Sequence, residues 1–346
     1  SMRTWLLDKL WVKSIIAKSL GIEPSRILFS DHHLSHAASA YFCSPFDQAA
    51  VLTFDGVGEW STTTMGVGRQ NNLEITREQH FPHSIGLLYS AFTAFLGFEV
   101  NEGEYKVMGM APYGSPRYVE KVRKMVQQSD DGGYWLDPRF FSFHYSTKFS
   151  YTSRFRDLFG EPRKPEVDFF TETSGYPDYY GPKPHNFDEM CQYNQYYADV
   201  AASIQEATEQ LIVRVAGELH RRTGSKRLCL AGGVALNSVA NARILRETPS
   251  EELYIQPSAG DGGGSLGAAL FASHCALGNT QRFVMDNAYW GQEYTSGEIR
   301  LALDQSGVKA DYVEDTSQLM DMTVERLTSG RVVAFSCRCG EPGVRR

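Results

Sequence analysis

His32 and His36, in Asp31-His32-His33-Leu34-Ser35-His36, share a face if this stretch is helical, so two imidazole nitrogens can converge on one cation. The same residues also suit a helix capped by Asp31 whose histidines pack or titrate at the surface, and an isolated HxxxH pair does not separate the two. Asp55 closes a short apolar run, Ala49-Ala50-Val51-Leu52-Thr53-Phe54, and Gly56, Gly58 and the hydroxyls of Ser61, Thr62 and Thr63 follow it. Glycines let backbone N–H groups approach an anion closely, and a strand-end carboxylate can hold a metal; a plain hairpin turn needs the same glycines. Two further turns, Gly232-Gly233 ahead of Asn237 and Gly260-Asp261-Gly262-Gly263-Gly264, join strand-like to helix-like segments. Unpaired N–H groups at a helix start face anions, so two such turns close in sequence suit a nucleotide held between loops. Asp261 adds a hard carboxylate for iron, manganese or magnesium. Close helix–strand packing selects glycine as well, and neither turn is a P-loop or a dinucleotide fingerprint. Lys106, in Gly103-Glu104-Tyr105-Lys106-Val107-Met108-Gly109, can stand beside an anionic ligand or remain a solvated lysine.

Strand-like and helix-like segments alternate along the chain, which predicts an α/β architecture. Residues 49–55 begin an antiparallel meander that continues through a Thr-rich second strand within 56–69 and a third at 73–81. Helical periodicity runs over 84–98 with an exit at Gly97, and a long helix is predicted over 193–221. Between them, 125–188 is rich in Tyr, Phe, Pro and Gly and reads as an irregular insertion beside a cleft. A length of 346 residues suits two or three domains or one two-lobed unit. With 34 basic against 41 acidic residues, the net charge of −7 argues against a nucleic-acid coat. No apolar stretch is long enough for a membrane span, and residues 1–22 read as an amphipathic helix rather than a signal peptide. The six cysteines, including Cys337 and Cys339, form no CxxC pair, which predicts free thiols in a reducing cytoplasm.

Seven stretches in order, DHHLSHAASAYF, VLTFDGVGEWSTT, SIGLLYSAFTAFLGF, GEYKVMGMAPYG, DVAASIQ, LAGGVALNSVAN and PSAGDGGGSLGAAL, resemble the NodU/CmcH family of O-carbamoyltransferases. The resemblance implies a two-lobed fold of the actin/Hsp70/sugar-kinase type, close to the Kae-like proteins. It implies a first lobe at 1–125, an insertion at 126–190 that is a candidate acceptor pocket, and a second lobe at 191–280. Residues 281–346 would begin a linker toward a YrdC-like domain. Carried over by motif, Fe2+ or another divalent metal would be held by His32, His36, Asp55 and Asp261. The adenylate would lie on Gly56, Gly58, Gly232, Gly233, Gly262 and Gly263 with Asn237 nearby, and Asp55 and Lys106 would serve catalysis. The implied chemistry is formation of carbamoyl adenylate from carbamoyl phosphate and ATP, then transfer of the carbamoyl group to a hydroxyl of a sugar-like or natural-product acceptor. The first strands of the N-terminal lobe and the adenylate-forming domain are expected to lie outside this sequence, since 335–346 departs from the family's GRxExGPRALG segment. The alternatives are a metal- and nucleotide-binding fragment without turnover, or a Kae-type tRNA threonylcarbamoyl-transfer protein.

Overall fold

The computed structural model describes residues 9–177 and 180–334. They form two compact units, one of residues up to 175 together with 184–285, the other of 176–183 and the residues from 286 onward. The first unit contains α1 (Val12–Leu20), α2 (His32–Cys43), β1 (Gln48–Gly58), β2 (Ser61–Arg69), β3 (Asn72–His80), α3 (Ile85–Phe95) and α4 (Glu104–Met110). It continues with α5 (Val119–Arg123), β4 (Val126–Gln128), β5 (Tyr134–Leu136), α6 (Ser153–Phe159), α7 (Phe187–Thr223), β6 (Arg227–Ala231), α8 (Ser238–Glu247), β7 (Glu252–Ile255) and α9 (Gly264–Phe271).

Five strands make one mixed sheet in the order β3-β2-β1-β6-β7. The pairs β1–β2 and β2–β3 are antiparallel, whereas β1–β6 and β6–β7 are parallel, with Ala50–Thr53 in register with Leu228–Ala231. Segments 1–125 and 191–280, expected as separate lobes, therefore contribute strands to a single sheet.

Alternation along β1 builds both layers, because successive side chains of a strand point to opposite faces. Ala50, Leu52 and Phe54, with Leu228 and Leu230 of β6, pack under α3 and α7. Ala49 and Val51, with Cys229 and Ala231, pack under Ala37, Ala40 and Tyr41 of α2. Thr53 and Asp55 continue the second series and so face α2. The long α7 carries buried residues at helical spacing, among them Ala201, Ile204, Thr208, Leu211 and Val215.

Within 126–190, Tyr134, Phe141, Phe155 and Phe159 turn inward, while Trp135, Tyr145 and Phe149 stay exposed. Phe155 and Phe159 lie one turn apart on α6, and both reach Phe92 of α3, at ring-centroid distances of 4.9 and 5.2 Å. Phe141, Phe155 and Phe159 are buried in the main core. Aromatic pairs at such separations pack edge to face and add to simple burial.

The second unit holds α10 (Ser296–Ser306) and α11 (Thr316–Thr328). Thr295 and Glu298 close a reciprocal capping box on α10, and Gly307 ends it in the left-handed conformation. Among the described residues no helix is long and apolar enough to cross a membrane. Cys43, Cys191, Cys229 and Cys275 are free thiols. Cys337, Cys339 and the rest of 335–346, like residues 1–8, lie outside the described residues.

Candidate functional site

The site assembles where the carboxyl end of β1 meets the first turns of α2. His32 and His36, four residues apart, put Nε2 atoms 3.0 Å from one another. Asp55, carried to the same face by the strand alternation, places Oδ2 2.8 Å from His32 Nε2 and 3.6 Å from His36 Nε2. Asp261, in the turn between β7 and α9, brings Oδ1 to 3.5 Å from His32 Nε2 and 3.4 Å from His36 Nε2. One donor atom from each of the four residues lies within 4.8 Å of every other. His36 is buried and Asp261 is exposed, so the group opens to solvent on the Asp261 side.

Packing holds each member in place. Gly267 of α9 runs so close to α2 that an added Cβ would stand 1.8 Å from the Ser35 carbonyl oxygen, and this contact delivers Asp261 to the histidines. Asp55 Oδ1 accepts a hydrogen bond of 3.2 Å from the Gly233 amide. Gly232 precedes it at φ 93°, where a Cβ would fall 2.0 Å from the Phe54 carbonyl oxygen, so only glycine serves there. Ser84 caps α3 by accepting from the Leu87 amide at 3.0 Å, while its hydroxyl donates to the Asp55 carbonyl at 3.0 Å.

Electrostatics follow from this crowding. Burial raises the Asp55 carboxyl, but its interactions with His32 and His36 outweigh burial and hold it below the usual carboxylate range. The hydrogen bond to Asp55 raises the His32 imidazole above its ordinary value against the opposing effect of burial, and the charges of Asp55, Asp261 and Glu59 add to it. His33 points away from the group. Its Nε2 donates to the Ser61 carbonyl at 2.8 Å, so its Nδ1, 2.6 Å from Thr53 Oγ1, accepts. Burial lowers His33 to about 4 despite that hydrogen bond. It is a neutral strut between α2 and the sheet.

The other sequence candidates have identifiable places. Gly58 abuts His32, since a Cβ there would meet the imidazole ring at 2.0 Å, and Gly56 lies beside Leu87. Gly262 and Gly263 belong to the turn that carries Asp261. Asn237 caps α8 through the Ala240 amide at 3.1 Å, and its amide exchanges hydrogen bonds of 2.9 and 3.0 Å with Gln205 of α7. Lys106 is on the exposed side of α4, with Nζ 5.8 Å from the ring centroids of Phe98 and Tyr105. No contact among the described residues joins it to the four-residue group.

Sequence reasoning missed a second feature. A cleft of about 450 Å3 adjoins the group and shares His32 with it, lined also by Asp31, Glu59, Trp60, Glu78 and His80. An exposed tryptophan in a tight hairpin turn was the available signal.

A family profile described as Carbamoyltransferase N-terminus matches residues 1–270. The chain belongs to this carbamoyltransferase family. The carbamoyltransferase chain is 42% identical over 353 residues to "Uncharacterized protein sll1178" of Synechocystis sp., covering 97% of this chain and 53% of that protein. It is 33% identical over 293 residues to "Nodulation protein NolNO" of Sinorhizobium fredii, covering 83% and 38% respectively. It thus spans about half or less of the length of these relatives. Among solved structures it is similar to T. kodakarensis HypF at a TM-score of 0.38 and 17% identity, over 77% of this chain and 39% of that one.

Proposed function

We propose that this chain carries the transfer step of an O-carbamoyltransferase, passing a carbamoyl group from carbamoyl adenylate to an acceptor hydroxyl at the His32–His36–Asp55–Asp261 group. The observation that carries the reading is the convergence of two imidazoles and two carboxylates from three separate segments on one point. Family membership supports the carbamoyl chemistry.

The donor set fits a divalent cation. Ligands about 2.1 Å from a metal stand about 3.0 to 3.4 Å apart in octahedral or tetrahedral arrangements. The separations of 3.0 and 3.4 Å fall in that range, those of 3.5 and 3.6 Å lie just above it and the His32–Asp55 pair at 2.8 Å just below, shifts of about 0.1–0.2 Å that binding would take up. Mixed nitrogen and carboxylate donors suit iron(II), manganese(II) or another first-row ion. Such an ion, when bound, supplies positive charge against the phosphate of the adenylate.

In the transfer the acceptor oxygen forms a bond to the carbamoyl carbon. The bond from that carbon to the adenylate phosphate oxygen breaks, and AMP leaves with the electron pair as the acceptor loses its proton. The chain's own contribution is placement. Gly233 fixes one oxygen of Asp55 and leaves the other to the site, while the α2–α9 contact fixes Asp261. The adenylate would lie along the turns at Gly232–Gly233 and Gly262–Gly263, whose Gly232, Gly233 and Gly263 amides are themselves bonded to Ala259, Asp55 and Gly260, and ATP and carbamoyl phosphate would be the ultimate donors.

Metal content of the purified chain, compared with His36→Ala and Asp55→Asn, tests the reading beside transfer of labelled carbamoyl from synthetic carbamoyl adenylate. Loss of metal and of transfer in both variants is expected. Equal metal retention in all three proteins would refute it.

A further inference from the structure

The cleft beside the four-residue group is not accounted for by metal or nucleotide. Its floor is the start of α2, its outer wall the β1–β2 turn, and its third side the face of β3 that presents Glu78 and His80. Gly58 rests on the His32 ring, so the turn that carries Glu59 and Trp60 is in direct contact with the group. Trp60 lines the cleft, is 61% exposed and packs at a tilt against Phe81, ring centroids 6.0 Å apart. Glu78 accepts from the Ser61 hydroxyl and lies 3.1 Å from His80 Nε2, so its carboxylate has a defined position. Asp31, Glu59, Glu74 and Glu78 bring four carboxylates to the cleft, and its lining, free of lysine and arginine, offers no cation to balance them beyond histidine.

We propose that this cleft receives the acceptor, with Trp60 as the platform for an uncharged or cationic hydroxylated ring and Glu59 and Glu78 as acceptors for its hydroxyl hydrogens. The proposal rests on the carbamoyl-transfer reading above. An aromatic face covers the apolar C–H side of such a ring, while carboxylates accept from several hydroxyls at once. The four carboxylates of the lining repel an anionic ring. A hydroxyl of the bound ring is thereby presented on the His32 side. The acceptor pocket accordingly belongs to the β1–β2 turn, whereas Phe141, Phe155 and Phe159 of the 126–190 insertion are taken up in the core.

Saturation-transfer NMR on the intact chain tests this with methyl β-glucoside, glucosamine and glucuronate, and it requires neither metal nor adenylate. The glucoside and glucosamine should bind and glucuronate should not. Trp60→Ala should weaken binding at least tenfold, whereas Trp60→Tyr should restore most of it, which separates a platform from a mere fold defect. Glu59→Gln combined with Glu78→Gln should admit glucuronate. Binding to Trp60→Ala at wild-type strength, equal binding of glucuronate, or no binding of any of the three sugars to the wild type would each overturn the inference. Those results leave the metal comparison untouched, while equal metal retention in that comparison defeats the transfer reading without altering sugar binding.

Discussion

Replacing Gly267 with alanine perturbs the His32–His36–Asp55–Asp261 group from a distance. The new Cβ would stand 1.8 Å from the Ser35 carbonyl oxygen, with the Ser39 amide nitrogen at 3.0 Å, and both obstacles are backbone. Reaching a tolerable separation of about 3.2 Å moves α9 outward by about 1.4 Å, and overpacking of this kind costs about 1–3 kcal/mol. Alanine's better helix propensity returns at most about 1 kcal/mol. The net loss of up to about 3 kcal/mol corresponds to a fall of up to about 12 °C in Tm for a unit of this size. If Asp261 follows α9, its 3.4 Å separation from His36 Nε2 lengthens well beyond ligand spacing. Metal sites tolerate ligand displacements of only about 0.2 Å, so affinity should drop at least about tenfold. Gly264→Ala is the control, because nothing lies within 4 Å of its added Cβ. Thermal melts and titration with cobalt(II) followed by absorbance give both readouts. Equal melting and equal cobalt affinity of the two variants would refute the argument that this contact delivers Asp261.

Ser84→Ala removes the α3 cap and the donor to the Asp55 carbonyl together, and should cost about 1–2 kcal/mol, read as a lower midpoint in urea unfolding. An unchanged midpoint would mean that another group replaces the serine. Cys229 sits in the sheet under α2, where burial pushes its thiol up to about 12. The reactive thiolate therefore stays scarce below that pH, and iodoacetamide at pH 8 should label Cys229 far more slowly in the native chain than in urea, as mass spectrometry of the peptides would show.

Much of the fold was legible because its signals are local. The alternation of β1, the glycine exit after α3 and the helical period of α7 all lie within short windows of sequence. The parallel pairing of β1 with β6 is not local, and nothing in either strand names its partner. That pairing could not be read from the segment boundaries for this reason. The aromatic richness of 126–190 was visible, yet composition does not say which way a ring points. Phe155 and Phe159 turn inward because α6 lies against α3.

The site was legible in a different way. His32 with His36 could be read as a pair from helical spacing alone, whereas the meeting of that pair with Asp55 and Asp261 came from resemblance. Gly233 was expected among the nucleotide loops, and its hydrogen bond to Asp55 Oδ1 has no counterpart in sequence spacing. The cleft escaped notice because its walls come from the start of a helix, a hairpin turn and alternate positions of β3.

Because the four donor groups are spread from position 32 to position 261, a chain still emerging from the ribosome has no complete cage to offer an ion. The histidines and Asp55 are synthesised early, but Asp261 arrives only after β6 and β7 have been made. On the proposed metal reading, capture of an ion would report completion of the parallel half of the sheet and would draw α9, made after β6 and β7, against α2.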